Sequence, residues 1–110
     1  HETLHPLSRG FDEFYGHLGG GHRYFPDELT IKDTAAAKNE ADSYRTWIQR
    51  GREPVRTEKY LTDEFSREAV EFVERHKGGP FFLYLAYNAP HSPMQAPEEE
   101  IAKFAHVKDE

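Results

Sequence analysis

The chain has 110 residues and a formal net charge of −6 with histidine neutral; 36% of its residues are hydrophobic and 31% are charged. That balance argues against a nucleic-acid partner, because no basic face is available to neutralise phosphates, yet it leaves room for an anionic small substrate in a local basic pocket. The absence of cysteine excludes disulfides, zinc–thiolate sites and a cysteine nucleophile, and no stretch approaches the roughly 20 apolar residues that a membrane helix needs.

Residues 1 to 28, HETLHPLSRGFDEFYGHLGGGHRYFPDE, are rich in glycine, histidine and aromatic side chains. Gly10 to Gly16 reads as one helical turn held between two glycines. Gly19-Gly20-Gly21 then breaks all regularity, either as a flexible loop or as a place where the backbone approaches something closely. Residues 29 to 43 are polar and read as an exposed loop. Tyr44 to Gln49 reads as a strand, Arg50-Gly51 as a turn and Glu53 to Arg56 as a return strand, which Pro54 confines to a sheet edge.

Residues 62 to 77 carry the clearest helical pattern. Thr62 is the expected N-cap, and Asp63 and Glu64 occupy the first turn, where the helix dipole favours acids. Leu61, Phe65, Ala69, Phe72 and Val73 fall on one stripe, with Glu71 and Arg75 as an i,i+4 pair opposite. Basic residues fill the last turn, Gly78 is placed for a left-handed cap, and Pro80 prevents continuation. Phe81 to Asn88 follows, apolar and aromatic without alternation, which predicts a central strand of an α/β sheet covered on both faces. Residues 97 to 106 predict a last helix: Pro97 suits its first position, three glutamates its first turn, and Ile101, Phe104 and Ala105 its inner face. A buried strand needs neighbours on both edges, and no second strand of comparable quality is present. Residues 1 to 110 are therefore expected to be an incomplete internal portion of a larger α/β domain.

His91 follows the apolar run by three residues, between Pro90 and Pro93. Ligands of open α/β sheets sit beyond the carboxyl ends of the strands. A loop stiffened by proline can hold an imidazole where it donates to an anionic oxygen, takes a proton or binds a metal. The competing reading is a packing histidine in a proline-rich turn. His17 and His22 flank the triple glycine at a spacing that matches no strong ligand motif. His22 has glycine neighbours that leave room for a ligand. His76 suits the helix dipole, and His1, His5 and His106 lie near the chain ends. No Ser-His-Asp order, phosphate loop or dinucleotide fingerprint is present.

Two blocks, HPLSRGFDEFYGHLGGGHRYF and YLTDEFSREAVEFVERHKGGPFFLYLAYNAPHSPMQAPEE, resemble the middle of a sulfatase of the arylsulfatase and N-acetylgalactosamine-6-sulfatase group. The resemblance spans nearly the whole chain except about residues 29 to 42. It implies an alkaline-phosphatase-like fold, a central mixed sheet between helices, and hydrolysis of sulfate esters, expected to be those of sulfated sugars. The motif Ala89-Pro90-His91 resembles the family's strand-end motif, whose histidine contacts the substrate sulfate. His91 is thus the implied catalytic and substrate-binding residue, and His22 an implied residue of the pocket rim. Asn88 and Gln95 lie nearby without an assigned role. The family also implies calcium and a formylglycine nucleophile, but the calcium ligands and the nucleophile's precursor motif are absent from this chain, as is the family's Gly-Lys-Trp-His motif. These residues alone are therefore expected to be inactive. Expected partners are a small-molecule or carbohydrate sulfate ester, and a complementing chain or self-association through open sheet edges; nucleic acid and membrane are not expected. Family members of this kind are exported, which implies a periplasmic or extracellular location. A phosphodiesterase or phosphonate hydrolase of the same superfamily, and a non-catalytic scaffold or binding module, remain open as alternatives.

Overall fold

The computed structural model describes residues 2–25 and 46–108. The loop expected at 29 to 43, and Tyr44, lie outside the described residues. The chain opens with two 3-10 turns, Glu2–Leu4 and Pro6–Ser8. Its strands are β1 (Tyr15–Gly16), β2 (Ile48–Arg50) and β3 (Glu53–Val55), and its helices are α1 (Leu61–His76) and α2 (Glu98–Ala102). The helical turn expected between Gly10 and Gly16 does not form. Tyr15 and Gly16 instead pair with Arg50 and Gln49 in an antiparallel ladder, which takes the backbone bonds a helix would need.

The three strands lie in the order β1-β2-β3, with β2 and β3 as a hairpin in which Arg50 opposes Glu53. The turn is Gly51-Arg52, one residue later than the sequence suggests. Gly51 takes φ 62° at the first turn position, which a type II′ hairpin demands. Pro54 sits on the edge strand as expected, where its missing N–H removes no ladder bond.

The hairpin is tied to α1 by charge and aromatic contact. The Arg50 guanidinium lies over the Tyr15 ring at 4.8 Å and forks onto the Glu68 carboxylate at 2.8 and 2.5 Å. The Tyr15 hydroxyl donates to Glu64 at 3.0 Å, and its ring meets Phe65 edge-on at 6.2 Å. Glu64 and Glu68 are each only 6% exposed, and Arg67 completes the network by donating to both. Burial followed by the Glu64 carboxylate pushes the Tyr15 phenol well above its ordinary value, so it remains a donor. The core proper is small: Tyr24, Ile48, Leu61 and Phe65.

Helix α1 starts at Leu61, with Tyr60 rather than Thr62 in the cap position and no side-chain cap. The Tyr24 carbonyl accepts the Leu61 N–H at 2.8 Å, so a tertiary contact does the work expected of the threonine. Arg75 pairs with Glu13 at 2.8 Å rather than with Glu71, which Arg67 takes at 2.6 Å. Gly78 is not left-handed: Lys77 ends the helix in the right-handed region, and the Gly79 N–H closes the turn onto the His76 carbonyl.

Residues 81–88 form no strand among the described residues, and Phe82 and Tyr84 are 74% and 71% exposed. An apolar run shows that both faces need covering; it does not say what covers them, and β1 to β3 do not pair with it. The run travels back along α1 instead: Phe81 meets Phe72 edge-on at 5.6 Å, and the Tyr87 and Ser66 hydroxyls lie 2.9 Å apart. Sixteen helical residues span about 24 Å, and eight extended residues cover about 26 Å. The return therefore delivers Asn88 to the start of the helix. Helix α2 ends at Ala102, short of the expected span, and Ile101 and Phe104 are exposed because no described element covers that face.

The Glu68 carboxyl is held below its ordinary 4.5: burial pulls it upward, but the Arg50 hydrogen bonds and charge, with Arg67, outweigh that. A depressed folded-state pKa stabilises the fold above the unfolded value and loses that contribution as pH falls through the folded one. Glu68→Ala is thus expected to lower the unfolding free energy at neutral pH by about 1–3 kcal/mol, with the gap to wild type closing under acid conditions. Urea unfolding across pH checks this; a gap that persists in acid would show that the carboxylate charge is not its source.

Candidate active site

The return run ends in a loop that the rest of the chain grips at several points. The Asn88 carbonyl accepts the His91 N–H at 2.9 Å and closes the turn. The Asn88 amide donates to the His22 carbonyl at 2.7 Å. The Tyr24 hydroxyl donates to the His91 carbonyl at 2.9 Å, and the Tyr24 N–H donates to Gln95 Oε1 at 3.1 Å. The Tyr60 hydroxyl donates to the Gln95 carbonyl at 2.7 Å. Tyr24 is 1% exposed and stacks on Tyr60 at 5.5 Å. Burial, with Tyr60 alongside, raises the Tyr24 phenol above its ordinary value, which keeps it a donor. Tyr24, Tyr60, Asn88 and Gln95 therefore build the loop that carries His91. Sequence reasoning assigned none of them this task, because each contact joins residues 35 to 71 positions apart.

The His91 side chain is exposed, and its Nδ1 lies 2.7 Å from the Ser92 carbonyl. A carbonyl oxygen only accepts, so Nδ1 carries a proton and donates. That contact sets the ring's orientation through Nδ1.

His22 is fully buried at 0% exposure. Its Nδ1 lies 2.7 Å from the Arg23 carbonyl and its Nε2 2.8 Å from the Thr46 carbonyl, so both ring nitrogens face backbone rather than an open rim. What His22 contributes to the loop is its own carbonyl, which receives Asn88. The His17 ring lies 4.9 Å from that of His22 and stacks on Phe65 at 6.3 Å. Burial, then the neighbouring His22 ring, push His17 down to about 4 against a hydrogen bond with the Gly19 backbone, with a smaller contribution from His91. The structure thus brings His17, His22 and His91 into one electrostatic neighbourhood, although the sequence pointed only to the latter two.

Among the described residues, no group of three or more acidic or histidine side chains is arranged to hold a metal ion. The buried carboxylates Glu64 and Glu68 are committed to Tyr15, Arg50 and Arg67. The chain has no cysteine, and neither Ser8-Arg9 nor Ser92-Pro93 fits the precursor motif that the resemblance implies, so these residues do not fit the formylglycine precursor, and the described residues do not fit a calcium site. A cavity of ≈ 870 Å³ is lined by Phe11, Phe14, Phe65 and Phe72 together with His17, Arg9, Arg50 and Arg75, and neither His91 nor His22 lines it.

The sulfatase family model matches residues 3–110. The chain belongs to the sulfatase family. It is 29% identical over 102 residues to the arylsulfatase of Klebsiella aerogenes, across 90% of this chain and 20% of that protein. It is 35% identical over 105 residues to the N-acetylgalactosamine-6-sulfatase of Homo sapiens, across 84% of this chain and 18% of that protein. The crystal structure of Ps i-CgsB in complex with k-i-k-neocarrahexaose superposes with a TM-score of 0.84 and 47% identity, covering 100% of this chain and 26% of that one. The chain is therefore mixed α/β on the alkaline-phosphatase-like sulfatase fold, and it spans about a fifth of the length of the curated sulfatases it matches.

Because His17 has a folded-state pKa below its ordinary 6.5, its neutral form stabilises the fold above that value, and the contribution is lost as pH falls toward about 4. Across that window wild type is expected to lose on the order of 3 kcal/mol through this group, and His17→Gln to show a shallower fall. Parallel slopes for the two proteins would contradict the burial of a neutral His17.

Proposed function

We propose that this chain contributes part of the active site of a sulfuric ester hydrolase acting on sulfated sugars, and that His91 contacts the sulfate group being cleaved. The observation that carries the reading is His91 on the loop after the apolar run, with its Nδ1 at the Ser92 carbonyl and its backbone gripped by Tyr24. The sugar class is supported by relatives whose names specify N-acetylgalactosamine-6-sulfate chemistry, and by a relative crystallised with k-i-k-neocarrahexaose.

The sulfate ester's charge lies on its non-bridging oxygens, and cleavage places further charge on the leaving oxygen. A preorganised N–H donor lowers the energy of that charge without reorganising at the moment of reaction. With Nδ1–H donating to the Ser92 carbonyl, the contact with the sulfate in this proposal is made through Nε2. Donation from Nε2 requires the imidazolium, which a neighbouring anion favours, and the resulting hydrogen bond is charge-assisted. His22 enters this reading as a support, holding Asn88 through its carbonyl. The formylglycine and calcium that the family implies come, in this proposal, from residues outside this chain, so these 110 residues alone turn over no substrate.

The test is turnover of 4-nitrophenyl sulfate by a protein of the relatives' full length containing this chain, beside its His91→Ala variant. A loss of about 100-fold in kcat/KM with the fold intact is expected. An unaltered rate would make His91 a turn residue only. Cleavage of a phosphate ester in preference to the sulfate ester would overturn the reaction assignment.

A further inference from the structure

We propose that Tyr24 and Tyr60 are positioning residues for His91, acting through the backbone of the loop at residues 88–95; the inference rests on the reading of His91 given above. Tyr24 grips the carbonyl of His91 itself, and Tyr60 grips that of Gln95 at the far end of the loop. Both anchors are rooted in the core and the start of α1. The Tyr24 ring lies in the core with Ile48, Leu61 and Phe65, and Tyr60 holds the cap position of α1.

The two rings stack at 5.5 Å with 21° between their planes, and two phenylalanines would stack equally well. A buried hydroxyl needs a hydrogen-bond partner to be tolerated, so phenylalanine would be the simpler core residue. What the hydroxyls add is a hold on the loop at two carbonyls. The Tyr24 N–H adds a further bond to Gln95 Oε1, and the Tyr24 carbonyl takes the Leu61 N–H. Every polar group of Tyr24 thus links the start of α1 to the His91 loop. The place of an imidazole on a short loop follows the place of its backbone, and a misplacement on the order of 1 Å can lower the rate about 100-fold.

The test is a double-mutant cycle in a full-length protein containing this chain, with 4-nitrophenyl sulfate as substrate and thermal melting beside it. Tyr24→Phe is expected to lower kcat about tenfold while KM stays within about twofold. In a His91→Ala background the same change is expected to have no further effect on kcat. Tyr60→Phe, which removes only the bond to Gln95, is expected to act in the same direction and covers the case in which Tyr24→Phe fails to fold. An equal factor from Tyr24→Phe with and without His91 would overturn the inference, because the tyrosine would then act through the fold alone. An impaired His91→Ala beside unimpaired tyrosine variants would overturn the positioning role alone. A fully active His91→Ala would remove the reading of His91 and this inference with it.

Discussion

Tyr24 is the residue on which the rest of this structure depends. Its carbonyl receives the first N–H of α1, its own N–H reaches Gln95, its hydroxyl reaches His91, and its ring fills the core between Ile48 and Leu61. A buried polar network is favourable only when every member is satisfied, and here each bond ties a different segment to the same side chain. The start of the helix, the end of the apolar return run and the stretch after the triple glycine meet at one point. His91 is exposed at the edge of that meeting place, its backbone carbonyl held by the Tyr24 hydroxyl.

The electrostatics divide into two zones. Around β1, β2 and α1, the buried Glu64 and Glu68 are matched by Tyr15, Arg50 and Arg67, a network that fixes how the hairpin sits on the helix. Toward the loop the polar contacts are made by histidines: the His17 ring lies against that of His22, and His22 and His91 hold backbone carbonyls with their ring nitrogens.

The sequence announced what local pattern governs. The 3.6-residue stripe located α1 to within a residue at each end, and Pro54 located the sheet edge. It misled where a distant group replaced a local one. Thr62 looked like a cap, but the Tyr24 carbonyl takes that place; Arg75 looked like a partner for Glu71, but Glu13 reaches it from 62 residues away. His22 looked open because of its glycine neighbours, yet the chain folds so that carbonyls meet both its ring nitrogens. The strand expected at 81 to 88 shows the limit of periodicity: composition asks for cover on both faces, and within a chain about a fifth the length of its relatives no described element supplies it. The clamp of Tyr24 and Tyr60 on the loop left no pattern in the sequence, since its spacing is set entirely by tertiary structure.

The most direct measurement is a crystal structure of a full-length protein containing this chain, bound to a sulfated oligosaccharide. The account predicts a sulfate oxygen about 3 Å from His91 Nε2, with Nδ1 still at the Ser92 carbonyl and the Tyr24 hydroxyl still on the His91 carbonyl. A sulfate group bound away from this loop, or a His91 ring turned from it with the tyrosine contacts broken, would contradict it.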